Sequence, residues 1–336
     1  MKRKNISAFT TVLMLTFMFI ACNEQENELE FPFSADIFYS IEAKQVAFSA
    51  LTHSAASWNW DFGDGSSSTE QNPVHIYDVG GYYVAKLTAV DAGGSTIEKE
   101  VKLAIELTPY ALLTGDYTVD GYNGKTWKLS ASHSVNDILA NSDASFSLLD
   151  DDIEFLPTGA FDMYLGLPEA YNDEFTFYYN GDYRQSTTDG SSIGGIAYAL
   201  TYQQMGLTSI TKTGGKAVFG ADVFALTTFT PEDNVTFVLN EKEDYVLPTI
   251  PDYATSILPQ GIPVVTYPGV MTLEFSGTSA FVGLRDFHRK VIVQHISDNS
   301  MRLAMFLTLS PDAIMSLDPL IALSTTAVVL TFSVVN

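Results

Sequence analysis

The chain has 336 residues and a formal net charge of −23, from 40 acidic and 17 basic side chains. Such a charge repels phosphate backbones, so we expect no nucleic-acid partner. With 46% hydrophobic and 12% aromatic residues, the chain can bury a sizeable core, and its length favours two domains. Few charges and many Thr, Ser, Gly, Val and Phe residues favour strands over helices, which predicts an all-β protein.

The N-terminus has the pattern of a secretory signal in residues 1–22. Three basic residues precede an apolar run over 8–20, and Ala21 lies before Cys22, the only cysteine of the chain. The sequence Phe19-Ile-Ala-Cys22 resembles a bacterial lipobox, although Phe19 stands where Leu or Val is usual, and this predicts lipid on Cys22. The alternatives are an ordinary signal peptide and a membrane-spanning helix, which needs about 20 apolar residues.

Residues 23–30 are an acidic segment with four acids and no base. Such a stretch buries too little apolar surface to order itself, so we expect a solvated tether. Its place after the cysteine resembles the surface-export signal of Bacteroidetes lipoproteins, and a plain flexible linker is the alternative. The resemblance implies an outer-membrane lipoprotein that faces the cell exterior and is attached to the membrane by its N-terminal lipid.

Residues 31–107 show short segments of alternating apolar and polar side chains. Val46 and Phe48 share one face, and the segment Tyr83–Val90 alternates in the same way. Glycine pairs, Asn72-Pro73 and Gly63-Asp-Gly65 mark turns between these segments. Strands at this spacing predict a small β-sandwich.

Several motifs of this region resemble a PKD domain. They are Trp60-Asp-Phe-Gly-Asp-Gly65, Asn72-Pro-Val-His-Ile-Tyr77, Gly80-Gly-Tyr-Tyr-Val84 and Leu87-Thr-Ala-Val-Asp91. The resemblance implies an immunoglobulin-like sandwich that serves as a spacer or an interaction module. The structural motif residues are Trp60, Asp61, Phe62, Gly63, Asp64, Gly65 and Tyr77.

A structural role explains this motif. We expect Trp60 and Phe62 to fill the core, and Asp61 and Asp64 to accept hydrogen bonds from turn amides. Tyr77 is expected to pack under the Gly-Gly turn that follows it. The alternative is that the two aspartates bind calcium, but two carboxylates alone make a poor calcium site.

Residues 110–336 are expected to form a second domain, a larger jelly-roll-like β-sandwich. The strand-like segments include Lys125–Leu129, Ala160–Tyr164 and Val328–Val334. Short helices are predicted over Ile196–Met205 and Ala313–Leu317, and the proline-containing stretch from Leu247 to Gly269 is expected to be a long loop.

The start of this second region resembles a domain that follows PKD modules in Bacteroidetes surface lipoproteins. The matching segments are Leu113-Thr-Gly115, Lys125-Thr-Trp-Lys-Leu129, Asp151-Asp-Ile-Glu-Phe155 and Gly159-Ala-Phe161. The resemblance implies carbohydrate binding beside polysaccharide-uptake machinery, with a SusC/SusD-like transporter as a partner.

No stretch carries a convincing catalytic constellation. Gly190-Ser-Ser-Ile-Gly194 matches the nucleophile-elbow pattern, but a polar loop precedes it where that motif needs a buried strand. His288 and His295 have no second ligand at a spacing that zinc sites use. We therefore predict no enzyme activity and no cofactor. Asp150, Asp151, Asp152 and Glu154 are candidates for a structural calcium site, and a solvated strand start is the alternative.

A tyrosine-rich stretch is the candidate ligand site, because sugar C–H faces stack on exposed rings while flanking polar groups bind hydroxyls. The candidate residues are Tyr164, Tyr171, Tyr178, Tyr179, Tyr183, Arg184, Tyr198 and Tyr202. The alternative is that these rings fill the edge of the sandwich with their hydroxyls in water.

Together these features predict a surface-anchored, non-catalytic lipoprotein that captures a polysaccharide or oligosaccharide for a neighbouring uptake and degradation system. One rival function is a glycoside hydrolase or lyase on the same sandwich. The other is an adhesion or envelope-scaffold protein that binds partners through an exposed strand edge.

Overall fold

The computed structural model describes residues 32–149, 155–187, 189–250, 261–317 and 320–335. Strands dominate these residues, which confirms the all-β prediction. The chain divides into two compact units, one made mainly of residues 32–40, 46–75 and 85–101, and the other of residues 102–335 together with 41–45 and 76–84. The α-helices are short: α1 Pro109–Thr114, α2 Ala160–Met163, α3 Ile196–Gln204 and α4 Lys216–Phe219.

The first seven strands form two antiparallel sheets, β1-β2-β5 and β4-β3-β6-β7. Their side chains alternate as the sequence predicted, so that Val46, Phe48 and Ala50 of one strand are all buried. The strands are β1 Ser34–Glu42, β2 Gln45–His53, β3 Ala55–Asp61, β4 Ser67–Ser68, β5 Val74–Ile76, β6 Gly81–Asp91 and β7 Thr96–Ile105.

The Trp-Asp-Phe-Gly-Asp-Gly motif has the structural role that the sequence predicted. Trp60 and Phe62 are almost fully buried. The carboxylate of Asp61 accepts the Gly63 amide at 2.9 Å, and that of Asp64 accepts the Ser66 amide at 3.0 Å. Burial opposes the ionised form of Asp64, but hydrogen bonds from Ser66 and His75 outweigh it and lower the pKa of this carboxyl group.

The remaining strands belong to the second unit. They are β8 Lys125–Leu129, β9 Ile138–Asn141, β10 Glu174–Phe177, β11 Asp182–Ser186, β12 Ser191–Gly195, β13 Ile210–Gly214, β14 Phe224–Thr228, β15 Val235–Pro248, β16 Val264–Phe275, β17 Val291–Ile296, β18 Ser300–Leu307, β19 Ile314–Leu317, β20 Leu320–Ala322 and β21 Thr326–Val334. Strands β12, β14 and β13 form a separate small sheet.

Eight strands of this unit form a ring that we name the closed sheet. The order β18-β17-β16-β15-β11-β10-β8-β21 is completed by the pairing of β21 with β18, and every pairing is antiparallel. Each strand of the ring pairs with the ring strand that follows it along the chain. A jelly roll would instead need Greek-key crossovers between two packed sheets, so the topology differs from that expectation in this respect.

The interior of the closed sheet is a packed core rather than a channel. Side chains at alternate positions point inward and belong to one apolar cluster, including Trp127, Phe175, Phe177, Leu303 and Phe332. The β16–β17 connection also enters this core, since Phe281 is 1% exposed. Gly283 has a φ of +75°, and a Cβ there would lie 2.4 Å from the sulfur of Met305 and 2.8 Å from the Phe332 ring. Close packing therefore requires glycine at this position.

A second, smaller apolar cluster lies on the outer face of the closed sheet. The far half of the β15–β16 hairpin bends at bulges between Asn240 and Tyr245 and contributes Leu247 and Tyr267. These residues pack against the outward-facing Phe306 and Val329. The Pro-containing stretch from Leu247 is thus only in part a loop. Pro268 lies in β16 close to the bulged part of β15. The strand pairing is irregular there, so the amide hydrogen that proline lacks weakens the pairing least.

Two other local predictions are wrong. Ala160–Tyr164 was expected to be a strand but holds helix α2, because the adjacent Ala160 and Phe161 are both buried, and neighbouring strand residues point to opposite faces. Ala313–Leu317 was expected to be a helix, but Ile314–Leu317 pairs with Leu320–Ala322 as a strand. The predicted helix over Ile196–Met205 is confirmed as α3.

Across the residues that the structure describes, no helix is long and apolar enough to cross a membrane. The predicted lipidation site Cys22 and the predicted calcium residues Asp150, Asp151, Asp152 and Glu154 lie outside the described residues.

Candidate functional site

The two ends of the closed sheet differ in their connections. Because neighbouring strands alternate in direction, the long connections over 130–173, 187–234, 276–290 and 308–325 all leave from one end, which we name the loop end. The short turns 178–181 and 297–299 lie at the opposite end, which we name the hairpin end. Loops on a rigid sheet are common places for ligand sites, so both ends are candidates.

The predicted tyrosine platform is divided between these ends. Tyr178 and Tyr179 follow β10 directly and lie at the hairpin end, whereas Tyr164 and Tyr171 belong to the connection before β10 at the loop end. Tyr198 and Tyr202 lie on α3, also at the loop end. The eight residues therefore do not form one continuous platform.

Two of the candidate tyrosines are buried and offer no ring face to a ligand, which corrects the sequence prediction. Tyr183 is 4% exposed, points into the closed sheet, and donates its hydroxyl to the Phe281 carbonyl. Tyr198 is 5% exposed, and its hydroxyl accepts a hydrogen bond from Arg285. Alternation in β11 explains the contrast with its neighbour Arg184, which is exposed on the outer face opposite Thr176.

The other loop-end tyrosines are engaged with the protein. The Tyr171 hydroxyl is 2.8 Å from Nε2 of His133 and accepts the Phe161 amide at 3.1 Å. Tyr202 is half-buried and stacks on the Tyr198 ring with 4.3 Å between centroids. Tyr164 remains 37% exposed.

Tyr164 also lines an apolar pocket of about 20 Å³ together with Phe161, Phe219 and Phe224. A pocket of that volume takes one water-sized group and is too small for a sugar ring.

Tyr179 is the candidate whose surroundings fit a ligand platform best. It is 42% exposed at the tip of the β10–β11 hairpin. One ring face stacks on Tyr117 with centroids 3.9 Å apart and planes at 21°, and the edge of Tyr110 approaches it at 5.8 Å. We name Tyr110, Tyr117, Tyr122 and Tyr179 the tyrosine cluster.

The backbone of Tyr179 is also held by this cluster. Its amide donates to the Tyr122 hydroxyl at 2.8 Å, and its carbonyl accepts the Tyr110 hydroxyl at 2.8 Å. Burial raises the pKa of all three supporting tyrosines, that of Tyr117 to about 12, so they remain neutral hydrogen-bond donors. The ring of Tyr179 is therefore fixed in place before any ligand arrives.

Polar side chains flank this ring. The Asn180 amide nitrogen donates to Asp182 at 2.7 Å, and both residues are exposed in the turn. The sequence analysis singled out Tyr179 but missed the three supporting tyrosines. Their signal was the recurrence of tyrosine over 110–122, just before β8, which only the fold brings next to Tyr179.

Two buried carboxyl groups at the loop end also escaped the sequence analysis. Burial and the nearby Asp189 raise the pKa of Asp173 to about 8, and burial raises that of Asp286 to about 7. Perturbed carboxyl groups often mark catalytic sites. Here both residues are at most 3% exposed, which shields them from solvent.

The nucleophile-elbow pattern has a structural explanation. Ser192 lies within β12, is 1% exposed, and contacts Nη1 of Arg285 at 3.5 Å. A Cβ on Gly194 would lie 2.5 Å from the Arg285 carbonyl oxygen, and one on Gly195 would lie 2.4 Å from Asp286. Close backbone approach accounts for these glycines, whereas an elbow needs its serine at an exposed turn.

Comparison with known families agrees with the motif in the first unit. Residues 40–105 match the PKD domain family. These residues form a PKD domain. Collagenase ColA of Bacillus cereus is 28% identical over 100 residues, and collagenase ColQ1 of Bacillus cereus strain Q1 is 42% identical over 50 residues. The two matches cover 28% and 15% of this chain but only 10% and 5% of the collagenases.

Two solved structures are also similar to this chain. The PKD1 domain of the Vibrio cholerae metalloprotease PrtV is 25% identical, with a TM-score of 0.22, and covers 23% of this chain and 100% of that chain. A structure of carbohydrate-binding modules from the β-sandwich superfamily is 14% identical, with a TM-score of 0.23, and covers 90% of this chain and 91% of that one.

Proposed function

We propose that this chain is a non-catalytic glycan-binding protein that is anchored to the outer membrane by lipid on Cys22. The observation that carries the proposal is the exposed ring of Tyr179, held by the tyrosine cluster at the tip of the β10–β11 hairpin. A fixed, exposed aromatic ring with polar neighbours is the arrangement on which a sugar ring stacks. Because its support is preformed, little conformational entropy is lost on binding.

The charge of the chain favours a neutral or weakly charged polysaccharide. The net charge of the chain is −23. An anionic glycan would therefore meet repulsion over most of the surface. One shallow platform makes few contacts, so we expect modest affinity that rises with glycan length and changes little with salt.

The remaining parts of the proposal concern the cellular setting. The PKD domain would serve as a spacer between the acidic tether and the second unit, and many copies on one surface would raise the local concentration of a polymer. A SusC/SusD-like transporter is the partner that we propose for uptake. The collagenase names do not bear on this function, since the chain spans about a tenth of those proteins at most.

The Tyr179→Ala variant tests the binding site. We expect calorimetry against neutral β-glucans, mannans and xylans to show binding to the wild-type chain and a loss of about two- to thirteenfold in affinity in the variant, because an aromatic contact contributes about 0.5–1.5 kcal/mol. Tyr164→Ala is the matched control, since it removes a similarly exposed tyrosine at the opposite end of the closed sheet.

Other results would redirect the proposal. Binding that survives Tyr179→Ala would move the site elsewhere, and no binding to any glycan, including sulfated ones, would exclude the function. Release of reducing ends would place the protein among the glycoside hydrolases, one of the rival functions.

The Cys22→Ala variant tests the anchor. A lipoprotein needs the cysteine sulfur for lipid attachment, so we expect the variant to move from the membrane fraction to the soluble fraction of a bacterial host that processes lipoproteins. Metabolic labelling with a fatty acid should mark the wild-type chain alone. Equal membrane association of variant and wild type would argue for a membrane-spanning helix in residues 1–22 instead.

A further inference from the structure

The side chain of Arg285 lies buried at the loop end with aromatic rings around it. It is 5% exposed, and its Cζ atom is 4.5 Å from the centroid of the Phe229 ring and 5.4 Å from that of Tyr198. Removing a guanidinium from water is costly unless its donors and its charge are matched. The partners of this group therefore decide what the site can bind.

Most of the hydrogen bonds of Arg285 are made by Nη1. Nη1 donates to Oγ1 of Thr227 at 2.9 Å and to the Thr228 carbonyl at 3.2 Å, with Ser192 at 3.5 Å. Nη2 has two hydrogens and one acceptor, the Tyr198 hydroxyl at 3.2 Å. Within the described part of the chain, Nε has no partner.

The side of the guanidinium that carries the unpartnered Nε is one that recognises oxyanions. In a guanidinium the N–H of Nε and one N–H of Nη2 point the same way, and this fork matches the two oxygens of a carboxylate. No carboxylate oxygen among the described residues lies within ion-pairing distance of Arg285. The charge of Arg285 thus has no direct counter-ion in that part of the protein.

Two buried acidic groups at the loop end, Asp173 and Asp286, supply only part of that negative charge at neutral pH. Asp173 is 3% exposed, and its Oδ2 atom is unpartnered among the described residues. Burial and Asp189 raise the pKa of Asp173 to about 8 despite the opposing influence of Arg285, so most of it is protonated at pH 7. Burial likewise raises the pKa of Asp286 to about 7, and its oxygens accept the amides of Phe287 and Thr308.

We propose that the Nε–Nη2 edge of Arg285 binds a small carboxylate, and that the carboxyl group of Asp173 is its second hydrogen-bond partner. Such a guest matches the fork in shape and supplies the missing negative charge. The burial of the Arg285 side chain favours a guest of the size of formate or acetate. This site is independent of the glycan platform at the hairpin end.

The experiment titrates the full chain with formate and acetate at constant ionic strength, with chloride as the replaced anion. A ligand that binds only the folded state raises its stability in a saturable way. We expect a saturable rise of Tm in the wild type and in Asp173→Asn, which keeps a neutral hydrogen-bonding group. Arg285→Lys keeps the charge but lacks the fork, so its Tm should not respond.

Controls separate this site from general effects. Arg302→Lys is the matched arginine control, since Arg302 on β18 donates from Nε to the side-chain oxygen of Gln294 on β17, and this variant should leave the response intact. Should Arg285→Lys fail to fold, Asp173→Leu removes the second partner, and we expect it to weaken carboxylate affinity about tenfold. Tyr179→Ala should leave the response unchanged.

Two results would overturn the proposal. One is a Tm that does not respond to carboxylate in the wild type or responds equally in Arg285→Lys. The other is a high-resolution crystal structure of the acetate-soaked chain in which Nε bonds only a water molecule or the ionised Asp173 side chain.

Discussion

Replacing Trp60 by alanine is expected to lower the free energy of unfolding of the PKD domain by about 3–5 kcal/mol, the usual cost of deleting a core aromatic side chain. Trp60 is 0% exposed, and its ring lies 5.1 Å from Phe48 and 6.5 Å from Phe62 between centroids. Its Nε1 also donates to the Glu70 carbonyl at 3.1 Å, which the variant leaves without that donor. Scanning calorimetry of the full chain measures the shift.

Trp58 supplies the matched control for this prediction. It lies two residues away on the same strand but is only partly buried, and its Nε1 donates to the Thr52 hydroxyl at 3.1 Å. Trp58→Ala should therefore cost clearly less than Trp60→Ala. Equal losses in the two variants would contradict the assignment of Trp60 as the central core residue of the motif.

Replacing Asp137 by asparagine is expected to destabilise the second unit by about 3–5 kcal/mol, because it breaks a buried charged network. Asp137 is fully buried, and its oxygens accept Nδ1 of His133 at 2.9 Å, the Thr331 amide at 3.0 Å, and the hydroxyls of Ser134 and Thr331, each at 2.6 Å. These bonds join the segment before β9 to β21, almost 200 positions later in the chain.

The stability that the Asp137 carboxylate contributes should depend on pH. Burial alone would raise its pKa, but the hydrogen bonds from His133, Ser134 and Thr331 outweigh it and lower the pKa below the ordinary value of 3.8. A lowered folded-state pKa contributes stability that is present above the ordinary value and is lost as the pH falls through the folded value. Denaturant unfolding should show the difference between wild type and Asp137→Asn at pH 7, and the difference should shrink as the pH falls below 3.8.

Asp143→Asn is the control for this second prediction. Hydrogen bonds also lower the pKa of Asp143, but its partners Ser145 and Ser147 lie within four residues along the chain. Weakening a local turn of this kind should lower the free energy of unfolding by about 1 kcal/mol. A loss as large as that of Asp137→Asn would mean that the long-range connection to β21 contributes little.

The PKD domain is the part of the fold that the sequence by itself determined best. Its strands alternate with period two, its turns carry glycine and aspartate, and Asp61 and Asp64 bond amides two residues away. Such interactions are local, so residue type and spacing suffice to predict them.

The tertiary structure alone decided which of the predicted ligand residues are accessible. Tyr178, Tyr179 and Tyr183 are close in sequence, yet the turn exposes Tyr179 while alternation buries Tyr183 inside the closed sheet. The support of Tyr179 comes from Tyr110, Tyr117 and Tyr122, more than 50 positions earlier. Composition identified a tyrosine-rich region, but it did not show which of the tyrosine rings are exposed to solvent.

The closed sheet and the Arg285 site also depend on contacts between distant residues. The ring is completed by the pairing of β8 with β21 and of β21 with β18. Alternation within one strand does not identify the strand with which it pairs. Asp173 and Arg285 lie more than 100 positions apart. The raised pKa of Asp173 and the unpartnered polar atom of each residue follow from the burial of both side chains. Local patterns set the strands and turns of this protein, whereas closure, burial and the sites follow from long-range packing, because desolvation is a property of the assembled core.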